Sequence, residues 1–113
     1  MLFSSLSGCK KEDTIGRIIV QEIESGRKVQ GAKVRMFIDS EEEDVGMFLC
    51  SNPKTAEPEI ILETTSEGKV EQCFAENAVI SYEVTYSNID TSFVTTGKLH
   101  LERYETVTHT VKF

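Results

Sequence analysis

The chain has 113 residues, of which 39% are hydrophobic and 27% charged, and a formal net charge of -7. That length supports one domain with a real core and is too short for two. Its acidity argues against a nucleic-acid partner, because phosphate binding depends on Lys and Arg neutralising the backbone, and is read as serving solubility. No stretch approaches the ~18 consecutive apolar residues of a transmembrane helix, so any membrane contact has to come through a covalent anchor.

Near the start of the chain Leu6, Ser7, Gly8 and Cys9 are followed by the charged run Lys10, Lys11, Glu12 and Asp13. The first four resemble the lipobox of bacterial lipoproteins, in which small residues let a peptidase approach the backbone just before an acylated Cys. The charged run is similar to the export signals of lipoproteins in the Bacteroidetes group. The resemblance implies that Cys9 is a lipid anchor and that the protein sits at the cell outer membrane, on its surface or periplasmic face. On this reading residues 1–13 are signal-peptide remnant, lipobox and charged tether, and residues 14–113 form a single domain.

The rest reads as strands and turns. Residues 17–23 are rich in β-branched side chains and run into a Ser25-Gly26 turn. Residues 32–39 alternate, with Ala32, Val34, Met36 and Ile38 on one face and Lys33, Arg35, Phe37 and Asp39 on the other, the period of a half-buried strand. A long excursion over residues 39–59 holds both prolines of the chain and is read as loops around one short strand near 47–50. Residues 60–64 and 69–74, separated by Ser66, Glu67 and Gly68, look like a hairpin. Ile80, Tyr82, Val84 and Tyr86 alternate with polar residues, and residues 93–96 and 99–101 are softer candidates on either side of Gly97. The last segment alternates Val107, His109, Val111 and Phe113 against threonines and Lys112. No helical stripe is sustained anywhere. About seven short strands at regular spacing predict an all-β, Ig-like antiparallel sandwich.

Residues 17–34, with the turn Ser25-Gly26 and then Gly31-Ala32-Lys33-Val34, resemble the opening of carboxypeptidase-regulatory-like and transthyretin-like domains. These are prealbumin-type β-sandwiches found in surface lipoproteins. Thr64 to Val70 resembles their Thr-x-x-x-Gly hairpin, and residues 102–113 resemble their final strand pair. Gly26 and Gly31 fit as sites of tight bends, and Ala32 and Val34 as small inward side chains. Val70 departs from the aromatic usual after the hairpin glycine, and the 39–59 excursion is longer than the usual connection. A long loop on a rigid scaffold is where binding residues concentrate. The departure therefore nominates Glu41, Glu42, Glu43, Asp44, Phe48 and Lys54 as a binding loop.

Candidate chemistry is thin. With Cys9 as anchor, Cys50 and Cys73 either pair as a disulfide in an oxidising compartment or remain two buried thiols. The Glu41 to Asp44 run lacks the Gly turn and the wrap of roughly six to eight oxygens that calcium needs, and reads as a solvated charge run. Cys50 or Cys73 with His100 or His109 lacks any flanking nucleophile motif, and His109 is expected to be packed and bonded to backbone. The cysteines and histidines lack zinc spacing, and no glycine cluster cradles phosphate. Phe37, Phe48, Phe93 and Tyr104 are the aromatics that could face outward, and Phe37, if uncovered, marks a contact patch. The resulting expectation is a non-enzymatic module without cofactor or metal, binding a protein or polysaccharide at the outer membrane. The competing expectation is a spacer or assembly subunit that pairs through an exposed edge strand, with residues 17–23 as that edge.

Overall fold

The computed structural model describes residues 13–38, 46–89 and 92–113. They form nine strands: β1 Thr14–Gln21, β2 Lys33–Phe37, β3 Met47–Leu49, β4 Asn52–Glu57, β5 Glu59–Glu63, β6 Lys69–Phe74, β7 Val79–Ser87, β8 Ser92–His100 and β9 Thr106–Lys112. One sheet has the order β4-β3-β6-β1-β9 and the other β5-β2-β7-β8. Every strand pairing is antiparallel except that of β1 with β9. The fold is therefore an all-β, two-sheet sandwich.

Period-two patterning builds the core. From β1 come Ile18 and Val20, from β2 Val34 and Met36, from β7 Ile80, Tyr82 and Val84, with Met47, Val70, Phe74, Leu99 and Val111 from their neighbours, all buried. At ~25 cal/mol per Å² of apolar surface removed from water, burying each such side chain contributes on the order of 2 kcal/mol. That sum offsets the conformational entropy of ordering the chain. Where Gly97 of β8 lies opposite Tyr82, a side chain would collide with the tyrosine ring and its hydroxyl. This explains why the two candidate segments flanking Gly97 merge into one nine-residue strand: the glycine makes room for the neighbouring aromatic instead of ending the ladder.

Three segments depart from the sequence reading. Residues 52–57, read as loop, are β4, the edge strand of its sheet. Pro53 is tolerated there because an edge strand has one side free of ladder hydrogen bonds, and Pro58 occupies the corner between β4 and β5. Residues 60–64 and 69–74 do not form a hairpin. Thr65 and Gly68 close a tight turn, Gly68 N donating to Thr65 O over 2.8 Å, yet β5 and β6 then diverge into different sheets. Finally, β1 is not an edge. It pairs with β6 on one side over Thr14 to Ile19 and with β9 on the other over Ile15 to Gln21. The returning last strand satisfies the backbone groups that would otherwise be open to a partner.

Two polar residues pin the connections. Thr64 is 3% exposed; its hydroxyl donates to Val29 O (2.7 Å) and accepts from Ala32 N (2.9 Å), binding the approach to β2 onto the end of β5. Thr14, equally buried, accepts from the amide of Tyr104 (2.8 Å) and anchors the turn before β9. Gly26 and Gly31 hold positive φ angles of 72° and 87° at the bends between β1 and β2. Cys50 and Cys73 are joined by a disulfide, their Cα atoms 5.5 Å apart, which ties the segment after β3 to β6.

Replacing Thr64 with Val should cost about 2–3 kcal/mol, because a buried amide and carbonyl lose their partner; urea unfolding monitored by circular dichroism measures it. Replacing both Cys50 and Cys73 with Ser should remove about 3 kcal/mol by the chain-entropy account of a loop of this length. The same assay should return a lower urea midpoint with the β spectrum retained.

Candidate functional site

Of the nominated binding-loop residues the structure describes two, Phe48 and Lys54, and these do not line a common pocket. Glu41, Glu42, Glu43 and Asp44 lie outside the described residues. Phe48 of β3 is half-buried and lines a small pocket of about 130 Å³ at one end of the sandwich, with Met47, Phe74, Ala78 and Ile80 among its walls. Lys54 is exposed on the β4 edge and does not line it. Cys9 also lies outside the described residues.

The residues that carried the nucleophile reading are committed elsewhere. Cys50 and Cys73 share their disulfide and present no thiolate. His109 hydrogen-bonds a side chain, not backbone as expected: its Nδ1 is 3.1 Å from the Tyr82 hydroxyl, with the rings edge-on at 5.8 Å. Burial raises the Tyr82 phenol above its ordinary value of 10.0, so it stays protonated at neutral pH. This pair bridges the two sheets. His100 is exposed on β8. Among the described residues no group of three or more His, Cys, Asp or Glu side chains is arranged to hold a metal ion.

Of the four aromatics that could face outward, Phe93 stacks on Phe113 at 4.4 Å, Tyr104 is 38% exposed beside Arg103, and Phe37 is half-buried. Phe37 is the informative one. It stands on the outer face of the four-stranded sheet, with the Arg35 guanidinium 4.1 Å above its ring centre. Arg35 is in turn held by Glu59 on β5, through Nε and Oε2.

Strand register converts this face into a map. Glu59, Phe37, Ser81 and Lys98 form one row across β5, β2, β7 and β8; Ile61, Arg35, Glu83 and Thr96 form the next; Glu63, Lys33, Thr85 and Val94 the third. In the first row the small Ser81 lies between two long side chains. The result is a cleft of about 260 Å³ lined by Phe37, Ser81, Tyr82, Thr96, Gly97 and Lys98. Ser81 is 6% exposed and forms its floor. Such a surface offers an aromatic ring, hydroxyls and an ammonium group in one place. It can hold a ligand, and Tyr82, which also lines it, is hydrogen-bonded to His109. Alternation in residues 32–39 identifies Phe37, whereas Ser81, Thr96 and Lys98 become its neighbours only through long-range pairing of β2, β7 and β8. No local signal marks them.

The outer face of the other sheet carries an ion cluster. Glu71 on β6 meets Lys69 (3.1 Å) and Arg17 on β1 (3.1 Å), and Lys69 also approaches Glu67 (3.5 Å). The Lys69 hydrogen bond, then that of Arg17, holds the Glu71 carboxyl below its ordinary 4.5.

No protein-family model and no curated protein matches the chain. Among solved structures it resembles a candidate carbohydrate binding protein from Pseudomonas aeruginosa, with a TM-score of 0.50 and 9% identity over 98% of this chain and 97% of that one. At that identity the likeness concerns the fold.

Because the Glu71 carboxyl is held below its unfolded value, its contribution is present above the ordinary 4.5 and lost as pH falls through the folded value. Glu71→Gln should therefore lower Tm slightly at neutral pH and flatten the fall in Tm on acidification. The effect should stay below about 1 kcal/mol, since the cluster is solvent-screened; thermal melts from neutral pH down to about 3 check it.

Proposed function

We propose that this protein is a lipid-anchored, non-enzymatic binding module of the bacterial cell envelope that takes a polysaccharide. The observation that carries the reading is the outer face of the four-stranded sheet. There an aromatic ring, the hydroxyl residues Ser81, Tyr82 and Thr96 and an ammonium group line a shallow cleft of about 260 Å³. A cleft of that size is smaller than the roughly 300–1,000 Å³ pockets that enclose a whole small molecule, and suits one unit of a longer chain. The end-to-end fold likeness to a candidate carbohydrate binding protein supports the polysaccharide over a protein partner. The lipobox-like Leu6 to Cys9 supports anchoring at the outer membrane, and the Cys50–Cys73 disulfide supports an oxidising compartment.

A second reading, an assembly subunit, is favoured by one observation. β8 is a nine-residue edge strand that pairs with β7 in unbroken register and holds no proline or acidic residue, leaving its outer side a template for another strand. Concentration-dependent association in sedimentation velocity would select it.

The polysaccharide reading is tested by native gels cast with a panel of neutral and acidic polysaccharides. At least one should retard the protein reversibly, with no new reducing ends released. Loss of polymer length would make the protein an enzyme, and no retardation by any member would remove the reading. Intact mass of protein extracted from native membranes tests the anchor: a diacylglyceryl species beginning at Cys9 is expected, and an unmodified Cys9 contradicts it.

A further inference from the structure

From the cleft beside Phe37 the strand register carries a strip of outward side chains along β7. β7 runs between β2 and β8, and its outward side chains, Ser81, Glu83 and Thr85, are shorter than most of those flanking them. The flanks are Lys33, Arg35 and Phe37 on β2 and Val94, Thr96 and Lys98 on β8. Walls two strand spacings apart stand about 9.5 Å from each other, room for a single extended chain.

The charges along this groove are uneven in a protein of net charge -7. Between its walls Lys33, Arg35 and Lys98 face one carboxylate, Glu83, directly across from Arg35, while Glu59 and Glu63 stand on β5 behind Phe37 and Lys33. Arg35 is already bound by Glu59 and rests on the Phe37 ring. Lys33 and Lys98 have no ion-pair partner among the described residues, whereas on the opposite sheet Lys69 and Arg17 are both bound by Glu71. The two unpaired ammonium groups sit in the first and third rows, on opposite walls, about 13 Å apart along the strand direction. A polymer with a carboxylate on every unit meets both without being confined to one register.

From this arrangement we infer that the groove along β7 binds a uronic-acid polysaccharide, a refinement that rests on the polysaccharide reading above. One sugar ring occupies the cleft at Phe37. Its apolar C–H face lies against the aromatic ring, its hydroxyls bond Ser81 and Thr96, and its carboxylate pairs with Lys98. A unit further along pairs with Lys33. The affinity is therefore salt-dependent.

The test uses polygalacturonate as probe, its fully methyl-esterified form as the uncharged counterpart and poly-glutamate as an acidic chain without sugar rings. Polygalacturonate should bind, weakening as salt rises, and the methyl ester and poly-glutamate should bind at least about tenfold more weakly. Lys98→Glu and Lys33→Glu, both at exposed positions, should each weaken binding by about tenfold or more. Thr96→Lys should tighten it several-fold, a gain that misfolding cannot mimic. If Lys98→Glu and Lys33→Glu bind polygalacturonate as the wild type does, the groove is the wrong site, although the polysaccharide reading survives. If the methyl ester binds equally well, the carboxylate requirement falls. Equal binding of poly-glutamate makes this a site for acidic peptides and overturns the inference. A protein retarded by no polysaccharide at all fails the broader reading along with this one.

Discussion

Because β7 is hydrogen-bonded to a neighbour on each side, its side chains must alternate strictly between the core and the outer face, and both the stability and the candidate site rest on that alternation. Inward, Ile80, Tyr82 and Val84 fill the space between the sheets. Outward, Ser81, Glu83 and Thr85 set the floor of the groove. A one-residue slip of β7 would expose the apolar set and bury Glu83, so the register that closes the core also aligns Phe37, Ser81 and Lys98. Core and surface are in this sense one constraint.

The other sheet frames this arrangement from behind. Its central strand β1 is flanked by β6 and β9, so the first and last strands of the chain are neighbours and the five-stranded layer is fixed at both ends of the sequence. The Tyr82–His109 bond links β7 to β9 across the layers. Gly97 lets the Tyr82 ring lie where a side chain would otherwise clash. A rigid, filled sandwich leaves little interior for a ligand, and the pocket beside Phe48 is only about 130 Å³. Larger clefts open at the surface, about 450 Å³ beside Glu22 and Phe113, about 280 Å³ beside Leu62 and Val70 and about 260 Å³ beside Phe37.

Much of this was legible from the sequence for a physical reason: period-two alternation survives in β2, β7 and β9, and the inward set Val34, Met36, Ile80, Tyr82 and Val84 follows directly from it. What was not legible was pairing. Residues 60–74 carry the pattern of a hairpin, since two apolar runs around a glycine turn look the same whether the strands pair or part into two sheets. The proline-containing segment 52–57 reads as loop because local rules penalise proline without knowing that the strand is an edge. Ser81, Thr96 and Lys98 have no local signature at all. They matter through their positions opposite Phe37 and one another, which only the β2–β7–β8 register supplies. Phe37 itself is legible from the alternation, as an aromatic on the charged face of its strand.

The proposed recognition surface is the outer face of the four-stranded sheet. Backbone amide shifts of uniformly labelled protein titrated with short oligogalacturonates test this most directly. Progressive shifts confined to Phe37, Ser81, Glu83, Thr96 and Lys98 and their immediate neighbours are predicted. Shifts centred on Phe48, Phe74 and Ala78, with the β7 groove unmoved, would contradict it.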